Sequence, residues 1–189
     1  MSTAASALRP APGPVLVMTA GCAALAARPL LIDLAGGRPA VVLTVVFLVL
    51  LAVSIVWPVR SERPAVTVTP AAAVLAIGIG AFLLGRILVA GTPPASATAL
   101  AVALNTLAAV AEEAFFRRLV YGALLAGGPV AALVGSSVLF AAVHVTVYGL
   151  WVLPLDLAAG LIFGWQRQAT GSWGVPAVTH VVANLLVAL

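Results

Sequence analysis

Residues 39–59 read PAVVLTVVFLVLLAVSIVWPV, from Pro39 to Val59, without a single charged side chain. A helix that crosses a bilayer needs about 20 consecutive, mostly apolar residues, and this stretch meets that length. The strands of a membrane barrel would instead show segments of about 10 residues alternating in polarity, and no such alternation occurs in the chain. The flanking sequence keeps the same character. Of 189 residues, 63% are hydrophobic and 7% charged, whereas an ordinary soluble domain is about 25% charged. So little polar surface cannot cover a water-soluble globule. The expected fold class is all-α, a polytopic membrane helical bundle.

Arg, Pro and Gly punctuate the apolar segments. A first runs over about 14–27, with Leu30 to Leu34 extending it past Arg28 and Pro29. Pro39 to Val59 is the second, followed by a polar loop at 60–64. The third covers about 71–90 and is broken by Gly91, Pro93 and Pro94. An unusually long fourth spans about 97–126, the fifth about 129–150, the sixth about 154–168, and a short last one 175–189. The expectation is about seven transmembrane segments in a single integral membrane domain over 13–189, preceded by a disordered tail at 1–12 rich in Ala, Ser and Pro. Thr19 to Cys22 faintly resembles a lipoprotein cleavage box, but Thr19 fits it poorly and a plain first membrane helix is expected there.

The formal charge of +4 rests on nine basic residues, all Arg and all scattered. Without a basic cluster this distribution sets topology and does not point to nucleic acid as a partner. With the uncharged 91–97 loop outside, Arg9, Arg60, Arg63 and Arg167 fall inside and only Arg28 and Arg38 outside, which favours a cytoplasmic N-terminus. The single cysteine, Cys22, excludes an internal disulfide and a Cys-ligated metal site.

The informative charges are those inside the apolar segments. Glu112, Glu113, Arg117 and Arg118 share the fourth segment, where each costs about 2.5–3.5 kcal/mol if left unpaired near the bilayer centre. Glu113 and Arg117 lie four apart, the favourable order for an ion pair along one helical face. Glu112 is turned about 100° away, toward the face of Asn105 and Phe116, and has no such local partner. A Glu without a partner in an apolar cavity binds its proton more tightly, which suits a general base. His144, one turn after Phe140, lies in the fifth segment, and His180 and Asn184 share one face of the last. Together these are the makings of one polar cluster. Glu112 takes a proton from water, His144 helps hold that water, and His180 and Asn184 donate hydrogen bonds to the oxyanion formed at the attacked carbonyl. Ser136 and Ser137 lie near His144 but have no obvious acid partner for a Ser–His pair.

Glu112-Glu113-x-x-x-Arg117, Phe140-x-x-x-His144 and His180-x-x-x-Asn184, in that order, resemble the three motifs of the CAAX prenyl protease and bacteriocin-processing family, also called the CPBP or Abi family. Type II CAAX endopeptidases belong to it. The resemblance covers about 97–189. It implies a glutamate-based intramembrane endopeptidase, multi-pass in the plasma membrane of a bacterium. In that reading Glu112, Glu113, His144, His180 and Asn184 form the catalytic set, Arg117 and Phe140 support it, and no cofactor is needed. The implied partners are the lipid bilayer and a peptide or protein substrate, lipid-modified or membrane-embedded.

Three alternatives stand beside this one. Glu112, Glu113, His144 and His180 are ligand types that zinc accepts, although a local His-Glu-x-x-His signature is absent. A non-enzymatic bacteriocin-immunity or binding protein could retain the motifs. A proton-relay transporter would also place Glu and His inside the membrane, but no inverted repeat is visible. Glu113 with Arg117 also reads as a structural ion pair, and Arg86, Arg118 and Asp156 as helix-end or snorkelling residues.

Overall fold

A computed structural model describes residues 12–59, 70–88 and 97–188, and every regular element among them is helical. The expected tail at 1–12 lies outside the described residues apart from Pro12, as do the polar loop at 60–64 and the break at 91–94.

Helix α1 (Pro12–Ala26) and α2 (Arg28–Leu34) meet at a bend of 61°. Pro29 explains the break, because its ring disfavours helical geometry at the residue before it and removes a backbone donor. Gly36 and Gly37 end α2 in the left-handed region, at φ 69° and 70°, with their N–H groups donating to Asp33 O and Ile32 O. Glycine adopts that conformation without a Cβ penalty. Helix α3 (Pro39–Val56) and α4 (Ala71–Leu88) follow. The Thr98 hydroxyl accepts from Ala101 N at 3.2 Å and so caps α5 (Ala99–Glu113). Beyond Glu113 the coil widens into a π-helical segment, Ala114–Val120, then tightens through α6 (Tyr121–Leu124) and a 3₁₀ turn. Helix α7 (Pro129–Tyr148), α8 (Leu153–Thr170) and α9 (Gly174–Ala188) complete the bundle.

Among the described residues, four helices are long and apolar enough to cross a membrane: Pro39–Val56, Ala71–Leu88, Ala99–Gly127 and Pro129–Tyr148. Counting the bent α1–α2 pair as one span gives up to five, against the expected count of about seven. Helix α9 has 15 residues, which reach about 22 Å at 1.5 Å per residue against about 30 Å of hydrocarbon. Helix α8 carries Asp156, Gln166, Arg167 and Gln168, which dilute its apolar character. The outer faces of α3 and α4 expose Val41, Val45, Leu48, Ile77 and Leu84, as a lipid-facing surface requires.

Helix α5 packs between α3 and α9, α4 lies on α9, and α7 pairs with α8. Phe47, Phe115, Phe116, Phe140 and Phe163 form much of the core. Small residues set the closest approach. A Cβ added at Gly160 would lie 3.0 Å from Ser137 Cβ and 3.1 Å from its Cα, and one at Gly164 would lie 3.1 Å from Leu133 Cγ. These glycines therefore let α7 and α8 touch along a small-residue seam. Two inward-turned arginines fasten the bundle further. Arg118 donates to the carbonyls of Ser54 and Trp57 at the end of α3, and Arg167 Nε donates to Arg117 O at 3.0 Å. Arg118 thus bonds another helix, where a snorkelling or helix-end role was expected, and Arg167, near the end of the sixth segment, is buried.

Gly160→Val has no room without parting α7 from α8, and overpacking of this kind costs about 1–3 kcal/mol. The thermal midpoint in detergent should fall by about 5 °C. Gly80→Ala, with nothing within 4 Å of its added Cβ, should leave the midpoint unchanged.

Candidate active site

Two adjacent carboxylates at the end of α5 point into two different networks. Glu113 is fully buried, as is Arg117, and Arg117 Nη1 donates to Glu113 Oε1 at 3.2 Å. The second Arg117 amino group donates to Gly160 O at 3.1 Å. The guanidinium also sits over aromatic faces, with its carbon 4.6 Å from the Phe140 ring centre and 5.1 Å from that of Phe163. Rings in such positions attract a desolvated cation. His180 completes this network, its Nδ1 3.0 Å from Glu113 Oε1. A carboxylate can only accept, so the Nδ1 carries the proton. The His180 ring stacks on Phe163 at 4.8 Å.

Glu112 belongs to the second network. Its Oε1 lies 3.4 Å from Arg28 Nη1 and its Oε2 3.8 Å from His144 Nε2. Arg28 comes from the α1–α2 bend, where its Nε donates to Leu25 O at 2.8 Å and its guanidinium lies 5.4 Å from the Phe47 ring centre. Glu112 is therefore not the unpartnered acid that helical spacing suggested. The partner was hidden because it is 84 residues away and sat at a position that the sequence assigned to an outer loop. His144 Nδ1 donates to Phe140 O at 2.8 Å, one turn back on α7, and lies 3.6 Å from Asp156 Oδ2 on α8. With Nδ1 protonated, the Nε2 turned toward Glu112 is an acceptor.

The two networks meet at a cavity of about 480 Å³, whose lining includes Arg28, Asp33, Asn105, Tyr148 and Phe47. Glu112, His144, His180 and Asn184 all reach it, and Glu113 and Arg117 stand behind it. Phe140 is not a lining residue. Its ring lies 4.7 Å from His144, 5.8 Å from His180 and 5.4 Å from Phe116, and so spaces the two histidines. Asn184 Nδ2 donates to Asn105 O at 3.3 Å. Asn105 thus faces the cavity as the spacing suggested, whereas Phe116 turns into the core through the π-helical segment. Ser136 and Ser137 donate to Leu133 O on their own helix.

Among the described residues no three His, Cys, Asp or Glu side chains are grouped to hold a metal ion. The geometry gives the reason. The four side chains weighed as zinc ligands are divided between two networks, and each glutamate already faces an arginine. Sequence reasoning missed Arg28, Asp156 and the contact of Tyr148, whose ring stacks 5.9 Å from His144. A signal existed for the first two, since each is a charge inside or beside an apolar segment.

Residues 94–186 match the Rce1-like family, described as type II CAAX prenyl endopeptidase Rce1-like. No curated protein and no solved structure gives a significant match.

Removing one partner of a buried ion pair costs about 3–5 kcal/mol. Arg117→Met should therefore lower the denaturation midpoint in detergent sharply or prevent folding. Adding Glu113→Gln removes the stranded charge and should recover much of the loss. A double variant no more stable than the single one would contradict the pairing.

Proposed function

Through residues 94–186 the chain belongs to the Rce1-like family of type II CAAX prenyl endopeptidases, and we propose that it is an integral membrane endopeptidase whose water is activated by Glu112. The observation that carries this assignment is the pairing of Glu112 Oε2 with the acceptor Nε2 of His144 at 3.8 Å on a cavity wall. That separation is too long for a direct hydrogen bond, and one water can sit about 2.8 Å from both atoms. Glu112 takes a proton from this water as the oxygen attacks the peptide carbonyl, while His144 Nε2 accepts the water's other hydrogen. The carbonyl oxygen gains the negative charge. When the intermediate collapses, the C–N bond breaks and Glu112 returns its proton to the leaving amine.

The oxyanion falls to His180 and Asn184. Asn184 uses one amide hydrogen on Asn105 O and has a second free to donate. His180 holds its Nδ1 proton against Glu113, so donation from Nε2 requires the imidazolium form, in which both ring nitrogens are donors. Glu113 thus acts on the reaction through His180, and Arg117 fixes Glu113. No step needs a cofactor. The substrate is a peptide or protein, lipid-modified or membrane-embedded, that reaches the cavity from the bilayer. The full count of about seven segments, with α8 and α9 also in the membrane, fits that role.

Purified protein in detergent should cleave members of a quenched fluorescent peptide library. Glu112→Gln should lower the rate by about 10²–10⁴-fold, and His180→Ala by about 10²–10³-fold. A chelator should change nothing. Activity abolished by the chelator would move the site to zinc, and full activity in Glu112→Gln would refute the assignment. Folded wild-type protein that cleaves no member of the library would favour an immunity or binding role.

A further inference from the structure

Asp156 lies in the first turn of α8, where sequence alone made it a helix-end residue. Its surroundings assign it more. The side chain is 20% exposed, and Oδ2 is buried without a hydrogen-bond partner. A buried acceptor of this kind is costly unless something uses it. The nearest ionisable group is His144, whose Nδ1 is 3.6 Å away. That proton is already directed to Phe140 O at 2.8 Å, so carbonyl and carboxylate lie on the same edge of the ring and Glu112 on the opposite edge. The order of neighbours is Asp156, His144, Glu112, Arg28, from four different helices, with the last three on the cavity wall.

We propose that Asp156 is a positioning residue for the peptidase reaction. Its carboxylate, 3.6 Å from Nδ1, reinforces by charge the proton that Phe140 O already holds there and so keeps Nε2 an acceptor aimed at the water shared with Glu112. An anion behind a histidine strengthens the basicity of the far nitrogen and fixes the ring, as carboxylates behind ligand histidines do. Asp156 touches neither the water nor the scissile bond. Its reaction role rests on the endopeptidase assignment above, but the ring geometry it imposes does not.

The charged and titratable groups facing His144 are Glu112 from α5, Arg28 and Asp33 from α2, Asp156 from α8, His180 from α9 and Tyr148 from its own helix. Of these, Asp156 alone lies within ion-pair distance of Nδ1. Asp156→Asn keeps the shape and removes the charge. The experiment has two readouts on the full chain. The first is the ¹⁵N spectrum of histidine-labelled protein, which holds two histidines, with the His180→Gln variant assigning the signals. Wild type should show His144 as the Nδ1–H tautomer held by Phe140 O, and Asp156→Asn should shift its Nδ1 resonance. Asp156→Glu should retain the wild-type pattern. The second is cleavage of a peptide identified from the library. Asp156→Asn should lower kcat about 10–100-fold with KM little changed.

An Asp156→Asn spectrum identical to wild type overturns the inference, whether or not a substrate has been found. So does a rate that falls equally in Asp156→Asn and Asp156→Glu with the spectrum unmoved, since that is the mark of a structural role. Full activity in Glu112→Gln would instead refute the peptidase assignment, and the spectrum would still decide the geometry.

Discussion

Two neighbouring carboxylates cannot both stand in an apolar bundle without cations, and the arrangement of this protein follows from how Glu112 and Glu113 are separately satisfied. Successive residues on a helix diverge by about 100°. Each glutamate therefore requires its own set of partners from different neighbours. Glu113 takes Arg117 from the turn that follows and His180 from α9. Glu112 takes Arg28 from the α1–α2 bend and faces His144 on α7. In one network Glu113 and Arg117 are fully buried and reach the cavity only through His180, while in the other Glu112 lines the cavity itself.

The supporting parts serve this division. The π-helical segment begins at Ala114, directly after the glutamates, and such segments recur at functional sites. It directs Arg117 among Phe116, Phe140 and Phe163, where a guanidinium without water is still favourably surrounded. Gly160 serves twice, since its missing side chain admits α7 and its carbonyl receives Arg117. The bend at Ala27 exists because Pro29 cannot continue α1, and it delivers Arg28 to Glu112.

Much of this was legible in the sequence. The uncharged run at 39–59 is a helix over Pro39–Val56, and proline and glycine mark the starts or ends of α2, α3, α7 and α8. The i to i+4 spacing of Glu113 and Arg117 gave their ion pair, because that contact is local. What escaped was long-range. Arg28 reads as a loop charge until tertiary folding brings it across to Glu112, and Asp156 reads as a helix end until α8 packs on α7. Likewise, no α-helical periodicity reveals a π-helical turn, and so Phe116 was assigned to the wrong face. Of the expected count of about seven segments, four or five stand out by length and composition among the described residues, because α9 is short and α8 carries polar residues.

The most direct test compares Glu112→Gln with Glu113→Gln in the same preparation, measuring peptide cleavage and the unfolding midpoint together. The account predicts that Glu112→Gln loses cleavage and keeps its midpoint, because the amide oxygen that replaces the carboxylate can still accept from Arg28 at the cavity wall. Glu113→Gln should lose stability first, since it strands the buried charge of Arg117. Equal partial losses of activity from the two variants, with equal midpoints, would contradict it.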